Sequence, residues 1–406
     1  MYLRKIAYAG VFALMGSTAM AACAFQNDVP LKSLSAGFEA WKAVTDAMAE
    51  CGNFTAELDQ EFAAKQAEAF AANPSLYQIG GVANETIVPL INAGTIRPLD
   101  DLVAKYGQNL APNQLIKIDG KIMAIAMMVN VQHLMFRKDL MDELQLPVPT
   151  TWDEVLTTAE AIKASGKVQY PLGGTFKAGW NLAQDFNNMY MGFAQPMVNA
   201  DGTPNINNEN GVKTLETMKA LTAYMDPEYL TSDSTYVQQQ FQQGKIAMAN
   251  LWASRGGAMD DAAESQVVGK VDGSPAPMIM AGGAPATTLW WDGIVIAANI
   301  TDAEAEAAFK VAMEGLDSEM VTANNDDAIW LIPGYVPGRL AAGAIATAGA
   351  NPPPPSYPST TAQGIMHGAI GNQVAAFFTG EKSAADTLAA IEAEYMTAAK
   401  EAGILK

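Results

Sequence analysis

Seven tryptophans are the side chains of this 406-residue sequence best suited to holding a ligand. A flat indole face covers the C–H side of a sugar ring, while amides and carboxylates fix the direction of its hydroxyls. Trp252, Trp290 and Trp291 stand at strand ends, where packing alone does not explain adjacent aromatics, and Trp180 sits in a glycine-flanked loop. Trp41, on an amphipathic face, and Trp152, beside a helix cap, read as structural. Candidates for polar contacts are Asp59, Gln60, Asn84, Asn130, Asn187, Arg255 and Asp292, with Tyr335 as a further aromatic. Each polar candidate has a competing turn or cap role, which for Asp292 is the Asp-Gly turn. Arg255 opens an alternative: a buried guanidinium clamps a carboxylate, phosphate or sulfonate, so an acidic sugar derivative, like a polyol, competes with a neutral sugar.

Other chemistries have less to work with. His133 and His367 are the only histidines, far apart and without clustered cysteines or carboxylates, so no metal site is expected. The sequence has no Gly-x-Ser-x-Gly elbow, no Walker A and no well-placed dinucleotide fingerprint. The best enzyme case pairs Asp59 with Asp292 as glycosidase acid and nucleophile. An acidic chain supplies carboxylates anyway, and the expectation is a binding protein without a cofactor.

The chain that must position these residues is too long for one hydrophobic core, so two lobes are expected. Half of its residues are hydrophobic and 17% charged, a globular balance. Its net charge of −19 disfavours nucleic acid and anionic membranes as partners, since both demand a basic face. Residues 1–22 read as a secretory signal peptide, with Arg4 and Lys5, an apolar run over 6–15 and the exit Ala19-Met20-Ala21. That run is too short to span a bilayer, and an exported, periplasmic monomer is expected. In an oxidising compartment Cys23 and Cys51 read as a disulfide. The rival is a lipoprotein site ending at Cys23, against which stand Met20 and the unpaired Cys51 it would leave.

Strand and helix signals alternate from the start: strand 29–34, helix 38–50, strand 54–58, helix 61–70, then a strand over 76–79 closed by Gly80-Gly81. Residues 115–126 read as a hairpin turning at Asp119-Gly120. A strand then leads into helical residues Leu140, Met141 and Leu144, a break at Pro147 and Pro149, and a helix opened by the capping box Thr151-Trp152-Asp153-Glu154. Later come a strand over 245–252 preceded by Phe241-Gln242-Gln243-Gly244-Lys245, the segment Trp290-Trp291-Asp292-Gly293, and a helix capped by Thr301 and Glu304. Residues 352–355, four prolines, read as a stiff extended surface segment.

The run Leu134-Met135-Phe136-Arg137-Lys138-Asp139-Leu140 followed by Leu146-Pro147-Val148-Pro149-Thr150-Thr151-Trp152-Asp153-Glu154 resembles the family 1 extracellular solute-binding proteins of ATP-driven importers. That group contains the maltose-, glycerol-phosphate- and many other sugar-binding proteins. Phe136-Arg137-Lys138 departs from the family's usual Tyr-Asn-Lys. The resemblance implies an α/β fold, the two-lobed periplasmic binding protein fold, with three interlobe crossings and a ligand cleft between the lobes. It places the N-terminal lobe at 23–128 plus 292–333 and the C-terminal lobe at 129–291 plus 334–406. Residues 129–131 become a hinge with Asn130 facing the cleft, 287–296 the return crossing and 332–338 the third. Trp252 matches the tryptophan that the family delivers to the cleft. The implied function is capture of a mono- or oligosaccharide and its delivery to a membrane permease.

Overall fold

The computed structural model describes residues 23–406, so the expected signal peptide at 1–22 lies outside the described residues. Strands β1 (Leu31–Ser35), β2 (Phe54–Leu58) and β3 (Ile79–Ala83) run parallel. Helices Glu39–Ala49 and Phe62–Ala71 make the crossovers that parallel strands require. Strand β4 (Leu115–Ile118) forms the expected hairpin with β5 (Lys121–Asn130). Its turn residues Asp119 and Gly120 have φ of 51° and 78°, the left-handed pair that a tight hairpin turn needs.

Next come β6 (Gln132–Arg137), β7 (Tyr170–Gly173), β8 (Ile246–Trp252), β9 (Val271–Ser274), β10 (Trp290–Ile296) and β11 (Ile329–Trp330). They complete two sheets. The first has the order β11-β5-β10-β3-β1-β2, with β4 beside β5, and the second the order β7-β8-β6-β9. Each carries its own apolar core. The helices Trp152–Ser165, Trp180–Met191, Thr361–Gln373 and Ala384–Glu401 pack with the second sheet, and Glu39–Ala49 and Asp302–Gly315 with the first.

The chain passes three times between the sheets. Only Val131 separates β5 from β6, so the first passage is a continuous extended strand. The second runs from β9 to β10. The third leaves β11 for helix Ala342–Ala348, whose Thr347 hydroxyl accepts from the Ala276 amide at 3.0 Å in the second lobe.

Two local expectations change and a third is met. Gly80 and Gly81 lie inside β3 rather than in the loop after it: a β-carbon would come within 2.8 Å of the Phe70 ring at Gly80 and 2.7 Å of the Trp41 ring at Gly81. These glycines let two aromatic side chains press onto the strand. The Thr151 hydroxyl accepts from the Glu154 amide as expected, at 3.2 Å, but the Glu154 carboxylate takes the amide and hydroxyl of Thr150 instead of the Thr151 amide. The full reciprocal box forms at Thr301 and Glu304. Cys23 and Cys51, finally, are joined as a disulfide across 28 residues, with Cys51 wholly buried, so the structure contains no lone Cys51.

Candidate functional site

The first and second passages between lobes are neighbours. Strands β5 and β10 pair antiparallel as far as Asn130 opposite Trp290 and Val129 opposite Trp291. Successive strand side chains point to opposite faces, and the two tryptophans separate accordingly. Trp291 packs into the first lobe's apolar core, while Trp290 turns toward the second lobe and joins Trp252, at the end of β8, and Tyr357.

Trp290 is the centre of an aromatic knot. Its ring lies 4.1 Å from Tyr357, 5.9 Å edge-on from Trp252 and 5.8 Å edge-on from Trp180, measured between centroids. Its indole N–H donates to the Thr288 hydroxyl at 2.9 Å. With only 5% exposure and these neighbours, Trp290 is largely used up within the protein. Trp252 is 8% exposed, so the ring face left open belongs to Trp180, 42% exposed at the rim.

His367 backs the knot. Its Nε2–H donates to the Trp180 carbonyl at 3.1 Å, so Nδ1 accepts from the Tyr357 hydroxyl at 3.0 Å and from Asn187 Nδ2 at 2.9 Å. Burial lowers the imidazole pKa, which favours this neutral form. Asn187 is fully buried, its Nδ2 held by His367 while its Oδ1 has no protein partner among the described residues.

Sequence reasoning missed Tyr357 and His367. The four prolines read as a surface run in fact bury Pro354 and lead Tyr357 inward, where its amide donates to Leu289 O at 2.9 Å and Leu289 donates to Pro355 O at 2.9 Å. No periodicity marks such a residue; the available signal is an aromatic at the end of a rigid extended segment.

The remaining candidates take varied places. Asn84 is buried and bridges the lobes, donating to Tyr357 O at 3.2 Å and accepting from the Trp291 amide at 2.8 Å. Asn130 donates to Ser254 Oγ at 3.1 Å just beyond Trp252. Arg255 is partly buried, bonds Gln238 at 3.2 Å and lies 6.0 Å from the Phe38 ring of the opposite lobe. Asp59 pairs with Lys65 and accepts from the Glu61 amide at 2.8 Å, and the exposed Gln60 side chain donates to Gly37 O. Tyr335 packs against the first lobe's core beside the third passage, away from the knot.

Burial pushes up the carboxyls of Asp292, Asp185 and Asp327. Asp292 is pushed up to about 7 by desolvation, opposed by a hydrogen bond with the Trp41 side chain, and it has no ion-pair partner among the described residues. Asp185, 8% exposed, is pushed up to about 8 by desolvation, opposed by its Thr175 partner. Thr175 links it to Gln132; Asn188 donates to Gln132 at 3.0 Å and accepts from Thr288 at 2.7 Å. A buried polar chain thus runs from Asp185 past the first passage to the hydroxyl that holds Trp290. Its shared hydrogen bonds hold these side chains in place, while the attached Gln184 Oε1 and Asn250 Oδ1 are left without protein partners among the described residues.

The model of the bacterial extracellular solute-binding protein family matches residues 39–314. The chain is 25% identical over 225 residues to the polygalacturonan/rhamnogalacturonan-binding protein of Bacillus subtilis (strain 168), covering 49% of this chain and 44% of that protein. It is 31% identical over 93 residues to the multiple sugar-binding protein of Streptococcus mutans serotype c, covering 20% and 22%. The matches thus span less than half the length of these curated relatives. Among solved structures, a solute-binding protein of Agrobacterium radiobacter K84 in complex with ribitol superposes with TM-score 0.79 at 22% identity, over 91% of this chain and 98% of that one. One from Agrobacterium vitis S4 with D-mannitol gives 0.78 at 19%, over 92% and 99%. Maltose-bound MalE3 of T. maritima gives 0.75 at 18%, over 90% and 99%. These likenesses establish the two-lobed periplasmic binding protein fold.

Proposed function

Because the chain belongs to the bacterial extracellular solute-binding proteins, we propose that it is the capture component of an ATP-driven importer, taking a carbohydrate between its lobes and presenting it to a membrane permease. The aromatic knot at the passages between lobes is the observation that carries this reading: Trp180, open at the rim, meets the buried Trp252–Trp290–Tyr357 cluster, with Asp292 on the strand just past Trp290 and Arg255 just past Trp252. Flat faces flanked by a few fixed polar groups suit a polyhydroxylated ligand. Asn130 and Val131 supply the hinge, and ligand favours the apposed lobes because only there does it touch both. The lobes divide near residues 128, 291 and 333, and the protein acts as a periplasmic monomer after losing residues 1–22.

Neutral sugars and polyols fit better than sugar acids. A recessed carboxyl with no cation beside it repels an anionic ligand, although Arg255 in the other lobe would attract one. A glycosidase reading has weaker support, because Asp59 is already engaged with Lys65 and a backbone amide. Thermal-shift and calorimetric screening across neutral sugars, polyols and sugar acids tests the reading. Stabilisation by a neutral sugar or polyol without product formation is expected; turnover of a glycoside, or a response confined to non-carbohydrates, contradicts it.

A further inference from the structure

Two sets of interlobe contacts flank the knot. On one side the Trp180 indole N–H of the second lobe donates to Glu85 Oε2 of the first at 2.8 Å, and Asn92 Nδ2 donates to Thr361 Oγ1 at 2.8 Å. Asn84, also in the first lobe, reaches the Tyr357 carbonyl on the same side. On the other side the Arg255 guanidinium faces the Phe38 ring, and Gly257 lies so close to the Asp326 carbonyl that a β-carbon would collide with it. Asp326 lies in the short helical turn just before β11 of the first sheet, so this too is a contact between lobes. The floor between the flanks is the pair of passages at Asn130 and Trp290.

The aromatic groups have a matching compactness. An oligosaccharide needs platforms in series, one for each ring it lays down, with a groove open at one end or both. Here Trp180, Trp252, Trp290, Tyr357 and His367 are gathered into one knot, each within 6.1 Å of a neighbour between centroids. Tyr357 and Trp290 face each other, which removes two of the faces from use. What remains is a single open platform, Trp180, the other rings being at most 8% exposed, and its edge is held by the lobe-to-lobe contact with Glu85.

Resting on the carbohydrate reading above, we propose that the ligand is one polyhydroxylated unit no larger than a single sugar ring, and that the Glu85–Trp180 and Asn92–Thr361 contacts set that limit. A second ring would have to displace these contacts or prevent the lobes from meeting. In either case the bound form loses the interlobe contacts that favour it.

The test is calorimetric titration with monosaccharides and five- and six-carbon alditols beside disaccharides and trisaccharides built from the same units. The expected result is binding of one unit at least about 100-fold tighter than its disaccharide, the scale of forcing extra atoms into a packed site. A disaccharide or trisaccharide that binds as tightly as its unit, or more tightly, overturns the size limit while leaving carbohydrate capture standing. No binding by carbohydrate of any length overturns both, so the two failures are distinguishable. The Glu85→Ala/Asn92→Ala double variant, altered only at the flank, should narrow the gap between unit and disaccharide by raising disaccharide affinity. An unchanged gap in a folded variant removes the flank from the explanation.

Discussion

Asp59 and Asp292 look alike as candidates in the sequence, yet the two regions that hold them differ in kind. Asp59 ends a parallel strand of the first lobe at the surface, where Lys65 and the Glu61 amide hold its carboxyl below the usual range. Asp292 lies at the passage between lobes, beside Trp41 and two residues from Trp290, and burial pushes it up to about 7. The strand end satisfies its own polar groups. The passage leaves Asp292 hydrogen-bonded to Trp41 but without a countercharge, and a carboxyl so placed can select a partner.

The largest expected effect concerns the anchor of the passage. Trp290→Ala removes a buried indole and its bond to Thr288, and should cost about 3–5 kcal/mol of stability; chemical denaturation measures it, and a loss below 1 kcal/mol would mean the knot is not the packed unit described. Next comes pH. A ligand that donates to ionised Asp292 lowers its pKa, so affinity should rise toward pH 7 by up to about tenfold per unit and level off above it. Asn at position 292 should abolish the slope in calorimetric titrations, and a slope that persists assigns it to another group.

Asp185 tests the buried chain behind the passage. Its pKa is raised in the folded protein, so its contribution to stability is fully present below the unfolded value near 4 and is lost as pH rises through about 8. Asp185→Asn should flatten that decline in denaturation midpoints measured from pH 4 to 8; an unchanged decline would separate Asp185 from it. The smallest effect belongs to the strand end. Asp59→Asn should leave ligand affinity unchanged, because exposed ion pairs contribute little and none of its contacts crosses to the other lobe; a clear loss would bring the strand end into the site.

The fold was more legible than the site, for physical reasons. Turn and cap chemistry is local, so Asp119-Gly120, the Thr301–Glu304 box and the Pro147–Pro149 break could be read directly. Gly80-Gly81 could not, because what demands glycine there is Phe70 and Trp41 pressing from other elements. Within the site, strand alternation required Trp290 and Trp291 to part, but not which would face the second lobe. Tyr357 and His367 come from the far end of the chain, and only tertiary structure brings them to Trp290. Asn187 and Tyr335 had suitable chemistry for ligand contact, but the Asn187 Nδ2 is held by His367 and the Tyr335 ring packs on the first lobe's core.

Trp252 carries the most direct test that a sugar is held at the passage between lobes, since it ends β8 opposite Gln132 at that passage and shares the knot without being its centre. Calorimetric titration of Trp252→Ala with the tightest-binding carbohydrate should show a loss of about 2 kcal/mol, roughly 30-fold in Kd, in a protein that still folds. An unchanged Kd would place the ligand elsewhere.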